Sequence, residues 1–192
     1  MARNKEYDEG AVLDKAMKLF WEQGYEKTSM ADLVEHMGIH RRSIYDAFTD
    51  KHTLFLKVMD RFGEKVRADV QAGIKQAETA EGAIEFIFDY ILDGEEGMPP
   101  GCLFVNSVVE LAIRDADVDL KTRHAFIRSE QLIEEVVRRG QESGEFNKQH
   151  SAAHFAEYLN NVLTGLRVMI RTSLDKEKLQ RISKLSISVL KK

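Results

Sequence analysis

Gly38 divides two runs of apolar residues that keep helical spacing. Leu33, Val34 and Met37 precede it; Ile44 and Phe48 follow it, one turn apart. Glycine tolerates the left-handed turn that joins two helices so closely, and other residues rarely do. The pattern therefore predicts a bracing helix, a tight turn and a second short helix. That second helix opens on the polar residues His40, Arg41, Arg42 and Ser43, while Ile39, Ile44 and Phe48 are kept for the core. This is the layout of a helix-turn-helix, whose second helix enters the major groove of DNA.

The rest of the chain reads as helix almost throughout. Only two prolines occur in 192 residues, and they are adjacent, at Pro99 and Pro100. Leu, Ala, Glu, Lys and Arg are plentiful, and all favour helix. A first helix is expected over Glu9–Gln23, with Gly24 as its stop. Thr28 or Ser29 caps the second, and Asp32 stands where a capping box needs an acid. Asp50 then caps a long fourth helix through Phe55, Val58, Phe62, Val66 and Val70. A fifth helix starts near Ala80. Further helices are expected over about Cys102–Arg114, Val118–Ser143, Ser151–Thr172 and Lys176–Leu190, with a loop over Asp93–Gly101. No strand-like alternation persists. The fold class is all-α with about nine helices, divided into a helix-turn-helix domain over residues 1–52 and a helical domain over 53–192.

The chain carries a formal net charge of −4. A protein that coats nucleic acid without regard to sequence needs a strong basic excess, and this one has none. Its first 60 residues are no exception, because Glu6, Asp8, Glu9, Asp14, Glu22 and Glu26 offset the lysines and arginines. Any DNA contact must therefore be local. Cys102 is the single cysteine, which excludes an intramolecular disulfide and fits a reducing compartment. The N-terminus lacks the apolar core of a signal peptide, and no segment approaches the ~18 apolar residues of a membrane span. These features point to a cytoplasmic protein with no membrane partner. His150 and His154 have the spacing of a metal pair but no third ligand, and read as a surface pair. No phosphate loop, zinc-protease helix or nucleophile elbow occurs, so neither an enzyme nor a cofactor is implied.

Residues Ala16–Phe55 resemble the DNA-binding domain of the TetR family of transcriptional regulators. The likeness rests on Leu19 and Phe20, Gly24 and Tyr25, Thr28 to Met30, Gly38 and Ile39, Ser43 to Tyr45, Phe48, and Lys51 to Leu54, in that order and spacing. Chain length and helix layout fit as well, and Gly101–Leu103 and Gly165–Val168 resemble one large subgroup.

The residues carry DNA chemistry on their own account. The guanidinium groups of Arg41 and Arg42 can fork onto guanine O6 and N7 or clamp a phosphate. Ser43 is short enough for close backbone approach. Tyr45 offers an apolar ring and a hydroxyl that reaches phosphate. Thr28 and Ser29 lie at one helix N-terminus and Lys51 at another, where free N–H groups attract anions. The resemblance implies that His40, Arg41, Arg42 and Ser43 include the base readers of a double-stranded operator. It also implies that Thr28, Tyr45 and Lys51 hold the DNA backbone. Two positions depart from the family. His40 stands where Ser or Thr is frequent, which removes the usual cap. Arg42 replaces a small residue and either adds a base contact or faces solvent.

One recognition helix buries too little surface for tight specific binding, whereas a dimer presents two, ~34–36 Å apart. The last two helices have apolar faces wider than one contact requires. A homodimer is expected there through Phe155, Leu159, Val162, Leu166, Ile170, Ile182 and Leu185; a larger monomer core is the other reading. As in similar proteins, helices five to eight are expected to enclose a mostly apolar effector pocket. Its candidate lining is Phe86, Tyr90, Cys102, Asn106, Phe126, Tyr158 and Asn161, although an aromatic stripe is also what an ordinary core looks like. Cys102, near a helix N-terminus, reads either as an electrophile sensor or as a small buried hydrophobe. Together these readings describe a ligand-responsive regulator, a repressor that binds a palindromic operator as a dimer and is released by a small molecule. The alternative is a helical small-molecule sensor without specific DNA binding.

Overall fold

The computed structural model describes residues 7–192, and among them there are nine α-helices and no strand. Helix α1 spans Glu9–Gln23, α2 Met30–Met37, α3 Arg41–Phe48 and α4 Lys51–Gln76. Helix α5 spans Ala80–Asp93, α6 Leu103–Leu111, α7 Ala116–Ser143, α8 Ala152–Met169 and α9 Lys176–Ser188.

Local chemistry sets the boundaries in the N-terminal part. The Asp8 carboxylate accepts the Gly10 N–H at 2.8 Å and starts α1, and Gly24, at φ 88°, ends it. Ser29 and Asp32 form the reciprocal capping box that the sequence implied, at 3.1 and 2.8 Å. Gly38 turns the chain in the left-handed region at φ 71°, ψ 28°. His40 is the N-cap of α3 and makes no side-chain cap bond. Asp50 caps α4 by accepting the Thr53 N–H at 2.7 Å.

Two hydrophobic clusters hold the molecule together. In the first, Leu33 and Met37 of α2 and Ile44 and Phe48 of α3 close on α1 and on the start of α4. This cluster does not stop at the helix-turn-helix, because Leu103, Phe104, Val105 and Leu111 of α6 belong to it. The second gathers α5, α7, α8 and α9. Helix α4 joins both: Leu54 to Phe62 lie in the first, Val70 and Ile74 in the second. Arg61 ties α4 to α1 through a two-pronged bond to Asp14, at 2.7 and 2.6 Å. Among the described residues, no helix is long and apolar enough to cross a membrane.

The residues expected at the dimer face are divided between the protomer core and the surface. Phe155, Leu159 and Leu166 are buried within the protomer, in the second cluster. Helix α8 packs against both α7 and α9, and these residues fill that contact. Val162, Ile170 and Ile182 are half-buried against the same cluster, and of the expected set only Leu185 is largely open, at 69%. The open stripe of α8 is instead Tyr158, Asn161, Gly165 and Val168.

Candidate nucleic-acid interface and effector cavity

The outward face of α3 carries His40, Arg41, Arg42 and Tyr45, all exposed, with Ser43 half-buried among them. Ile44 and Phe48, each fully buried, anchor the opposite face. Arg41 and Tyr45 lie one turn apart and hold each other: the guanidinium donates to the phenol oxygen at 3.4 Å and lies 5.7 Å from the ring centroid. Arg42 leans toward Asp46 at 3.8 Å, an exposed pair that contributes little stability and yields easily. Ser29 is exposed at the start of α2.

Two residues expected to touch phosphate are placed differently. Thr28 is fully buried, and its hydroxyl donates to the Gly24 carbonyl at 2.6 Å. It closes the turn between α1 and α2 and presents no side chain to a duplex. Lys51 donates to the carbonyls of Tyr25 and Thr28 at 2.8 and 2.9 Å, with its ammonium 4.1 Å from the centre of the Tyr25 ring. The turn holds Lys51 in place and leaves one of its three N–H donors uncommitted.

That same turn is gripped from the other side by the body of the protein. The Glu110 carboxylate, on α6, accepts the N–H groups of Tyr25 and Glu26 at 3.0 and 2.8 Å. A side chain at position 24 would bring its Cβ to 2.9 Å from the same carboxylate, so Gly24 is required for the approach as well as for its φ. Arg171, beyond α8, donates to the Trp21 carbonyl at 3.1 Å, and Asn106 reaches that carbonyl at 3.5 Å. A second tie runs from His52, at the start of α4, to Asp115 at 2.8 Å. The other oxygen of Asp115 caps α7 by accepting the N–H groups of Asp117 and Val118. The grouping of His52, Asp115 and Asp117 is thus explained as a hydrogen bond joined to a helix cap.

An apolar cavity of about 260 Å³ lies directly behind this grip. Met17 and Trp21 of α1 form part of its wall, facing Phe62 and Val66 of α4, the 94–102 loop, and Phe126 and Leu132 of α7. Of the residues expected to line it, Tyr90, Cys102 and Phe126 do. Burial, with Asp69 beside it, holds the Tyr90 phenol well above its ordinary value, and its hydroxyl donates to that carboxylate at 3.2 Å. Cys102 is buried at the start of α6. The other four candidates lie outside the lining. Phe86 covers Gly73 of α4, Asn106 is turned to the Trp21 carbonyl, and Tyr158 and Asn161 face outward on α8.

Sequence reasoning missed Trp21, Glu110 and Arg171. Nothing local to Trp21 or Glu110 in the sequence marks either residue. Only the packing of α6 against α1 gives them their places.

A short helix with an exposed basic face, seated on a helical body that holds a cavity, defines a helix-turn-helix protein with an attached helical domain. Residues 12–58 match the family of bacterial regulatory proteins of the tetR type, and residues 82–185 match the tetracyclin repressor-like C-terminal domain. The chain is 35% identical over 186 residues to the HTH-type transcriptional repressor ComR of Escherichia coli K12, covering 94% of this chain and 88% of that one. It is 31% identical to an HTH-type transcriptional regulator of Bacillus subtilis 168, YezE, over 99% of this chain and 100% of the other. Among solved structures, the regulator CifR bound to a 26-base-pair operator superposes with a TM-score of 0.82 at 26% identity, over 96% of this chain and 98% of that one. The chain belongs to the TetR family of transcriptional regulators and is a DNA-binding regulator of that all-helical type.

Proposed function

We propose that this protein is a cytoplasmic repressor that binds a palindromic operator as a homodimer and lets go when a small molecule fills the cavity. Residues 1–52 read the DNA, and residues 53–192 sense and dimerise. The carrying observation is that Trp21, which lines the cavity, lies in the last turn of α1, held by Arg171 at its carbonyl and followed by the turn that Glu110 grips. An effector touching the cavity wall therefore acts within one helical turn of the segment that orients α2 and α3.

Arg41, Arg42 and Tyr45 contact the duplex from α3, with His40 and Ser43 at its leading end, and Ser29 meets the backbone at the N-terminus of α2. Lys51 contributes its remaining N–H. The name of the Escherichia coli relative supports repression, and the operator complex of CifR supports a duplex partner. Dimerisation uses the open stripe of α8, where Gly165 has free space around it, together with Ile182 and Leu185 of α9 and Val189 just beyond it. Release needs only that the effector bind the non-operator arrangement more tightly than the operator-bound one.

The test is selection of bound duplexes from random oligonucleotides by the full-length protein. Enrichment of a two-fold symmetric sequence is the expected outcome. Recovery of no sequence above background would favour a sensor without specific DNA binding.

A further inference from the structure

The walls of the cavity are apolar, but the charged residues around it are unevenly matched. Two carboxylates border it, and both already have a cationic partner: Asp93 pairs with Lys176 at 2.7 Å, and Glu95 with Lys65, which also lines the cavity, at 3.6 Å. Three guanidinium groups border it too, those of Arg67 on α4, Arg128 on α7 and Arg167 on α8. None of the three has a carboxylate partner among the described residues. Two of them occupy a particular place. A second, more polar cleft, bounded by Asp60, Glu64, Lys121 and His124, shares Gly63, Arg67, Phe104 and Arg128 with the apolar cavity. Asp60 in that cleft is already paired with Lys121, and Glu64 borders the cleft without an ion pair to either arginine. Arg67 and Arg128 therefore stand at the doorway between an apolar chamber and a polar one. Deeper in, the buried indole N–H of Trp21 finds no acceptor among the described residues.

We infer that the effector is a small amphipathic organic anion, a hydrophobic monocarboxylate. Its apolar body lodges against Trp21, Phe62, Phe104 and Phe126, and its carboxylate sits at the doorway between Arg67 and Arg128. A guanidinium offers two parallel N–H bonds to a carboxylate, which makes such pairs stronger than neutral hydrogen bonds. A cationic amphipath would meet three unpaired positive charges, and a neutral one would gain only apolar burial. This inference rests on the effector reading above and adds the chemical class of the ligand.

Trp21 is the only tryptophan of the chain and lines the cavity, so its fluorescence reports occupancy directly. Full-length protein is titrated with octanoate, octanamide and octylammonium, which share one chain and differ in head charge, and calorimetry is read in parallel. Octanoate is expected to bind roughly tenfold or more tighter than octanamide, the margin of a charge-assisted pair. Octylammonium is expected to bind most weakly. A folded Arg67→Gln/Arg128→Gln variant, checked by circular dichroism, is expected to reduce octanoate to the level of octanamide and leave octanamide unchanged. Octanamide binding as tightly as octanoate would overturn the anion assignment while leaving an apolar effector cavity standing. A preference for octanoate that survives the double substitution would overturn the doorway site. Silence from all three probes would overturn both this inference and an apolar effector of that size.

Discussion

Arg41 and Tyr45 hold each other on the free recognition helix, by a hydrogen bond of 3.4 Å and a guanidinium-to-ring contact. The pair fixes two rotamer-rich side chains before DNA arrives, which lowers the ordering cost of binding. Arg41→Ala is expected to weaken operator affinity by about 1–3 kcal/mol per half-site, roughly 5- to 150-fold, the worth of a bidentate base contact. Tyr45→Phe keeps the ring and removes only the hydroxyl, so its loss should be smaller, about 1 kcal/mol. Anisotropy titrations of a selected duplex measure both, and unchanged affinity in both variants would move the reading surface elsewhere. A second residue-scale expectation concerns Asp14. The two-pronged bond from Arg61, with Lys65 nearby, holds its carboxyl below the ordinary value of 3.8. The folded-state pKa is depressed, so the pair stabilises the fold above that ordinary value, and the stabilisation is lost as pH falls through the folded pKa. Asp14→Asn should therefore melt below the parent near neutrality, and the gap should close on strong acidification. A gap that persists there would place the effect in packing instead. The outward placing of Arg41 and Tyr45 and the Ser29–Asp32 box were legible in sequence because each depends on neighbours one turn away. The inward bonds of Thr28 and Lys51 were not legible, because their partners, the carbonyls of Gly24, Tyr25 and Thr28, meet them only once the turn has folded.

At the scale of elements, helix α6 runs from the cavity to the turn that precedes the helix-turn-helix pair. It begins at Cys102 in the cavity wall and carries Glu110 one residue before its end, against the turn between α1 and α2. A carboxylate has acceptor oxygens on both sides and satisfies both Tyr25 and Glu26 N–H groups; a glutamine amide has one oxygen and turns a donor toward the second. Glu110→Gln should leave effector affinity for the cavity nearly unchanged. It should shrink the effector-induced loss of operator affinity by about 1 kcal/mol or more, within the usual range of coupling energies. Operator titrations with and without effector give that ratio, and an undiminished ratio would show that the signal bypasses this contact. Most helix boundaries of the fold were legible from apolar period and caps. The partition of apolar residues on α8 was not. Phe155, Leu159 and Leu166 repeat at helical spacing just as an interface would, and only the presence of α7 and α9 on that side makes them core. Exposure then identifies the open stripe through Tyr158, Asn161, Gly165 and Val168.

The whole molecule has a net charge of −4, so bulk attraction to DNA cannot supply its affinity. In the proposed dimer, specific binding comes from a few contacts made twice, at a separation that the pairing sets. The two hydrophobic clusters, joined by α4 and by the grip on the α1–α2 turn, let the body dictate where each recognition helix sits. This part was legible only as an expectation, since symmetry follows from DNA geometry rather than from any residue in the chain. The most direct test uses the selected palindrome with its half-sites pushed apart by about five base pairs, roughly half a duplex turn. Rotating one half-site to the opposite face should cost the full-length protein roughly 100-fold or more in affinity, since each base-pair mismatch alone costs about 1–3 kcal/mol. Affinity unchanged by the insertion would contradict a symmetric dimer with two recognition helices at a fixed spacing.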